Sequence, residues 1–166
     1  MKRIIILILT TILLLTLASC GSPPTLKTDF SALFSAQSGD TVYAGTLNKN
    51  GDRLTITMKE PYPIAGMVFD YSDGGLSIKS RGHSTNADAD YLPDNSVPAS
   101  LRNALLYLSQ ASFTGSQGDC DHYAVTTPYG ESAMTAADGY PTEITDPHSG
   151  ICFKFTAPSE AQKTED

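Results

Sequence analysis

The chain has 166 residues, 40% of them hydrophobic and 17% charged, and a formal net charge of −7. An acidic chain lacks the clustered Lys and Arg that nucleic-acid phosphates require, so no nucleic-acid partner is expected. The same shortage argues against a polybasic membrane patch, while the length suits one domain with a sizeable core.

Lys2 and Arg3 form a short basic start, Ile4 to Thr16 is an almost unbroken apolar run, and the small residues Ala18 and Ser19 lead into Cys20. This is the three-part layout of a secretory signal. The apolar run is short for a full membrane span, which needs about 20 such residues. Leu17-Ala18-Ser19-Cys20 resembles the lipobox of bacterial lipoproteins. That resemblance implies removal of the signal peptide 1–19 and a diacylglyceryl group on the Cys20 sulfur. It also implies an exported product held on the membrane, at the outer surface or, in a Gram-negative envelope, at the periplasmic or outer membrane. Two acyl chains anchor stably, because each buried methylene contributes about 0.8 kcal/mol. Removing 19 residues leaves 147 and takes away the charges of Lys2 and Arg3, so the exported chain carries −9.

After Cys20 the stretch to Thr28 is small and polar with Pro23 and Pro24, so residues 20–28 are expected to be a tether. Phe30, Leu33 and Phe34 fall at i, i+3, i+4 and predict a short helix over Asp29–Gln37, ended by Gly39-Asp40. From Thr41 the period becomes two. Val42, Ala44 and Thr46 alternate with Tyr43, Gly45 and Leu47, and Asn48 to Asp52 reads as a turn in which Asn50-Gly51 is a strong hairpin signal. Leu54, Ile56 and Met58 mark a half-buried strand, broken by Glu60-Pro61-Tyr62-Pro63. A third strand is expected from Ile64 to Tyr71, then a turn at Ser72 to Gly75 and a fourth strand from Leu76 to Arg81.

Gly82 to Asn95 is polar and is expected to be a loop. Asn95 or Ser96 then caps a helix with Pro98 in its first turn, and Leu101, Ala104, Leu105, Leu108 and Ala111 form its apolar stripe. Thr114 to Asp119 is expected to be a loop, and strands are predicted over 120–127, 132–137, 140–145 and 151–156. Residues 158–166 form a charged, polar tail. Hairpin-length connections imply an antiparallel sheet, and the absence of helices between successive strands argues against a parallel α/β fold.

The order of hairpins, the strand Ile64-Ala65-Gly66-Met67-Val68-Phe69-Asp70-Tyr71, the Gly74-Gly75-Leu76-Ser77-Ile78-Lys79 stretch and Gly139-Tyr140-Pro141-Thr142-Glu143-Ile144 resemble the LolA/LolB superfamily of lipoprotein carriers and related lipid-binding lipoproteins. The resemblance implies an α+β domain over 29–157, a curved antiparallel sheet (an incomplete β-barrel) packed against one long and one short helix. It also implies a hollow between sheet and helix that takes acyl chains. Leu54, Ile56, Met58, Met67, Phe69, Ile78, Leu101, Leu105 and Leu108 are the residues that would line such a hollow, and they are of the core type in any fold. The expected partners are the membrane, through the lipid on Cys20, and a lipid or other amphipathic ligand. The alternative is an accessory lipoprotein that binds an envelope protein and has no small-molecule site.

No catalytic constellation stands out. Asp119, Cys120, Asp121 and His122 lie together without metal-ligand spacing, and His148 sits in a turn. His83 and Ser84 are adjacent, so on a strand they point to opposite faces, and no Gly-x-Ser-x-Gly elbow occurs. Neither an enzyme, a metal site nor a cofactor is expected. In an oxidising compartment Cys120 and Cys152 can form a disulfide; free thiols are the other outcome.

Overall fold

The computed structural model describes residues 23–157. The lipobox with Cys20 and the tail 158–166 lie outside the described residues. The strands are β1 Phe30–Ser38, β2 Thr41–Asn50, β3 Arg53–Glu60, β4 Val68–Ser72, β5 Gly75–Ser80, β6 His83–Asp88, β7 Ser112–Gln117, β8 Cys120–Thr127, β9 Gly130–Ala137, β10 Tyr140–Thr145 and β11 Cys152–Thr156. Among the described residues one α-helix, α1 (Val97–Leu106), is continued by a 3₁₀ turn at Leu108–Gln110. A further 3₁₀ turn spans Tyr62–Ile64.

All 11 strands form one antiparallel sheet in the order β6-β5-β4-β3-β2-β1-β11-β10-β9-β8-β7, with β6 and β7 as open edges. The chain leaves the β6 edge, crosses one face of the sheet as α1, and re-enters at the β7 edge. A connection between opposite edges must cover that face, and an open sheet of this width curls around what it covers. Phe34, Leu47, Ile56, Met58, Tyr71, Leu76, Val125, Met134, Ile144 and Phe153 from the sheet join Leu101, Ala104, Leu105 and Leu108 in one buried cluster. Full burial of each large apolar side chain contributes roughly 1.5–3 kcal/mol.

Local chemistry sets the hairpins. The central turn residues Asp73-Gly74, Arg81-Gly82 and Asp138-Gly139 all have positive φ (50° and 76°, 47° and 84°, 52° and 80°). That geometry matches the twist of the strands it joins. At the β2–β3 hairpin the turn is Gly51-Asp52, because Asn50 pairs with Arg53. The strand therefore runs through Lys49, which the sequence had placed in the turn. Gly45 is required for a different reason: a Cβ there would strike the Thr57 carbonyl and come within 2.7 Å of Phe34 Cε1.

The predicted fold class requires correction. There is no short helix beside a long one among the described residues: 29–37 is not helical, and most of it is β1. Phe30, Ala32, Phe34 and Ala36 are buried at period two, while Leu33 faces the other way, and β1 is paired on both sides by β2 and β11. The short i, i+3, i+4 match was outweighed by this sheet pairing. The expected loops at 82–95 and 114–119 contain β6 and part of β7, which are polar because both are edge strands with little buried surface. The third strand is shortened to β4 by the turn at Tyr62–Ile64.

Strand register places the turns Gly51-Asp52, Asp73-Gly74, Gly118-Asp119 and Asp138-Gly139 at the same end of the sheet as the start of β1 and the end of β11. The N-terminal segment is docked at this end. Lys27 N–H donates to the Gly139 carbonyl at 2.7 Å, Tyr123 O–H donates to the Pro24 carbonyl at 3.1 Å, and Lys27 Nζ lies 3.7 Å from the Tyr140 ring centroid. Residues 23–28, expected to be part of a tether, are thus held against the sheet.

Candidate functional site

A cleft of about 300 Å³ opens at that end, between the β2–β3 and β4–β5 hairpins and the last turns of α1. It is at the small end of the roughly 300–1,000 Å³ range of ligand pockets. Leu54, Tyr71, Ala89, Leu105 and Leu106 supply apolar surface, while Lys49 and Arg102 bring positive charge and Asp52 and Asp73 lie on the bordering turns.

Lys49 follows Gly45 and Leu47 along the inward row of β2 and is only 9% exposed. Its Nζ donates to the Gly51 carbonyl at 2.8 Å. Burial pushes the amine's pKa below its usual range, while the charges of Asp29 and Asp52 pull it back up. Asp29 Oδ1 itself accepts a hydrogen bond from Gly51 N–H at 2.8 Å.

Tyr71 follows Phe69 on the inward row of β4 and is 3% exposed. Its hydroxyl is buried without a hydrogen-bond partner. Burial raises its pKa to about 12, against a smaller lowering by Arg102. The Arg102 guanidinium carbon lies 5.4 Å from the Tyr71 ring centroid, within cation–π range. Arg102 Nη1 also donates a long, 3.4 Å bond to Asn103 Oδ1.

Among the described residues the ion pairs are Arg53–Asp70 and His148–Asp94, so neither Lys49 nor Arg102 has a carboxylate within 4.0 Å. Arg53 borders the cleft, but its guanidinium is committed to Asp70 through bonds of 2.9 and 2.7 Å, and Thr55 Oγ1 donates a third bond to Asp70 at 3.3 Å. The Arg53 bonds hold the Asp70 carboxyl below the usual carboxylate range.

Of the residues expected to line a hollow, Leu54 and Leu105 border this cleft. Leu108 borders a second cleft of about 250 Å³ with Pro23, Pro24, Leu26, Phe113 and Tyr123. Ile56, Met58, Phe69 and Leu101 are buried in the core cluster, and Met67 and Ile78 pack against it. Lys49, Tyr71 and Arg102 escaped the sequence analysis. The available signal was a lysine and a tyrosine continuing the inward rows Gly45-x-Leu47-x-Lys49 and Phe69-x-Tyr71.

Cys120 and Cys152 are free. The disulfide alternative is not formed, because β9 and β10 lie between their strands. Three strand spacings of about 4.8 Å exceed the Cα separation of about 7 Å that a disulfide can bridge. Cys152 Sγ instead donates to Glu143 Oε1 at 3.2 Å. Among the described residues no three His, Cys, Asp or Glu side chains converge on one point. Ser84 Oγ lies 3.4 Å from Ser77 Oγ, and His148 stacks on Tyr129 at 4.5 Å between ring centroids. No described helix is long and apolar enough to cross a membrane.

No protein-family profile matches the chain, and no curated protein matches it. Among solved structures, the chain is similar to a LolA superfamily protein from Nitrosomonas europaea, with 12% identity over 80% of this chain and 86% of that one and a TM-score of 0.46. At that level, neither family membership nor a ligand follows.

Proposed function

We propose that the chain is an exported, lipid-anchored, non-catalytic binding module that takes an amphipathic ligand at the cell envelope, in the cleft between the β2–β3 and β4–β5 hairpins and α1. The observation that carries this is the composition of the cleft: an apolar floor of Leu54, Leu105 and Leu106 beside a lysine and an arginine that, among the described residues, have no carboxylate within 4.0 Å. Such a surface suits a molecule with one apolar and one polar end.

The site of the anchor agrees with that role. Cys20 is three residues from Pro23, a reach of about 11 Å when extended, and the segment from Pro24 to Lys27 is docked at the end of the sheet where the cleft opens. A lipid on Cys20 would hold that end close to the bilayer. The test has two parts. Cys20→Ala should move the full chain from the membrane to the soluble fraction, and native mass spectrometry of segment 22–166 from a bacterial host should show a lipid-sized adduct lost on denaturation. A membrane-bound Cys20→Ala chain would remove the anchor. A segment that stays bare after incubation with phospholipid and lipopeptide would remove the ligand.

The second reading, an accessory that binds an envelope protein, is favoured by the two open edges. β6 and β7 are exposed along most of their length and leave one row of backbone groups unpaired by any described strand, which a partner strand can use. In-cell cross-linking from Thr85 or Ser116 tests it; capture of one discrete envelope protein would favour it, and no adduct would count against it.

A further inference from the structure

We propose that the polar end of the ligand is a phosphate-type oxyanion, held by Lys49, Arg102 and the Tyr71 hydroxyl; this rests on the amphipathic-ligand reading above. Lys49 and Arg102 come from β2 and α1, and Tyr71 from β4, so three separate elements bring donors to one cleft. Each donor has spare capacity. Lys49 uses one of its three protons on the Gly51 carbonyl, Arg102 makes one long bond to Asn103, and the Tyr71 hydroxyl makes none.

A buried hydroxyl without a partner costs free energy, and a buried ammonium with no directly paired carboxylate costs more. An oxyanion in the cleft satisfies both. Two cations match the charge of about −1.5 to −2 on a phosphate monoester near neutral pH, and donors from three directions suit a tetrahedral group. The neighbouring acids leave these donors without a direct carboxylate contact among the described residues: Asp70 is bound by Arg53, Asp29 accepts from Gly51 N–H, and Asp29 and Asp52 act on Lys49 through their charge alone. The Tyr71 hydroxyl is buried in the ligand-free chain, so binding requires a side-chain shift that uncovers it.

The strands, the helix and the buried cluster all lie within 23–157, so segment 22–166 keeps the complete fold. Its affinity should be measured by calorimetry for dihexanoyl phosphatidic acid, dihexanoylglycerol and inorganic phosphate. The wild-type segment should bind the phosphatidic acid at least tenfold more tightly than the diacylglycerol. Lys49→Met with Arg102→Leu should bring that ratio below about threefold, and Tyr71→Phe should weaken the phosphatidic acid by about three- to tenfold. A wild-type ratio near one, or a ratio insensitive to these variants, overturns the oxyanion site and leaves the amphipathic reading standing. Inorganic phosphate bound as tightly as the phosphatidic acid, and released by the same variants, supports the oxyanion site while removing the amphipathic ligand. No binding of any of the three overturns both. Should the double variant fail to fold, Tyr71→Phe and Arg102→Lys carry the comparison.

Discussion

The Tyr71 hydroxyl is buried without a hydrogen-bond partner, and the guanidinium carbon of Arg102 lies 5.4 Å from the centre of its ring. The pair joins β4 to α1 at the mouth of the cleft. A folded chain keeps an unsatisfied polar group only at a cost of about 1–3 kcal/mol.

Tyr71→Phe is therefore expected to leave the ligand-free segment equally stable or up to about 1 kcal/mol more stable. Denaturant unfolding measures this directly. A loss above about 1 kcal/mol would mean that the hydroxyl has a partner in solution.

The same residue gives an alkaline signature. Its folded pKa is raised to about 12, above the unfolded value of about 10. Between these values the unfolded chain ionises first and binds fewer protons, so stability is fully present below about pH 10 and falls as pH rises towards 12. The loss is on the order of 2–3 kcal/mol. Tyr71→Phe should remove that share of the decline, leaving the decline from Tyr123 and Cys152, whose pKa values burial also raises, and the opposing contribution of Lys49, whose lowered folded pKa makes stability rise as pH approaches about 10.4. Identical alkaline profiles for wild type and variant would contradict the burial of Tyr71.

Asp70 acts in the opposite direction. Its folded pKa is lowered, mainly by the bonds from Arg53, so its contribution is present above the unfolded value of about 3.9 and is lost as pH falls through the folded one. Asp70→Asn should flatten stability over that acid window. An unchanged acid limb in the variant would show that the Arg53–Asp70 pair does not persist in solution.

Two packing variants test the frame around the cleft. Leu105→Ala, at a site with 0% exposure on α1, should cost about 2–5 kcal/mol in chemical denaturation. Gly45→Ala should cost about 1–3 kcal/mol or more, because its methyl meets the Thr57 carbonyl and the Phe34 ring. Near-neutral results would mean that α1 does not cover the sheet as described, or that β2 and β3 separate at this point.

The β4–β5 hairpin was legible because its turn chemistry is local: Asp73-Gly74 lies inside the turn expected at Ser72 to Gly75, without reference to the rest of the chain. The helix was legible from the spacing of Leu101, Ala104, Leu105 and Leu108. β1 was not, because Phe30, Leu33 and Phe34 fit a helical face as well as Phe30, Ala32, Phe34 and Ala36 fit a strand, and only pairing to β2 and β11 decides between them. β6 carries His83 to Asp88 with almost no apolar residue, so an edge strand looked like a loop. The cleft was hidden for a related reason. Lys49 belongs to a turn by composition, and only the pairing of Asn50 with Arg53 extends the strand past it and turns it inward.

The most direct test of the account is photo-crosslinking of segment 22–166 with a phosphatidic acid that carries a diazirine in one acyl chain, followed by peptide mapping. The account predicts label concentrated on residues 49–54, 71–75 and 102–106, competed away by unlabelled phosphatidic acid and reduced by Lys49→Met with Arg102→Leu. Label confined to the β6 and β7 edges, or spread evenly over the surface and indifferent to competitor, would contradict it.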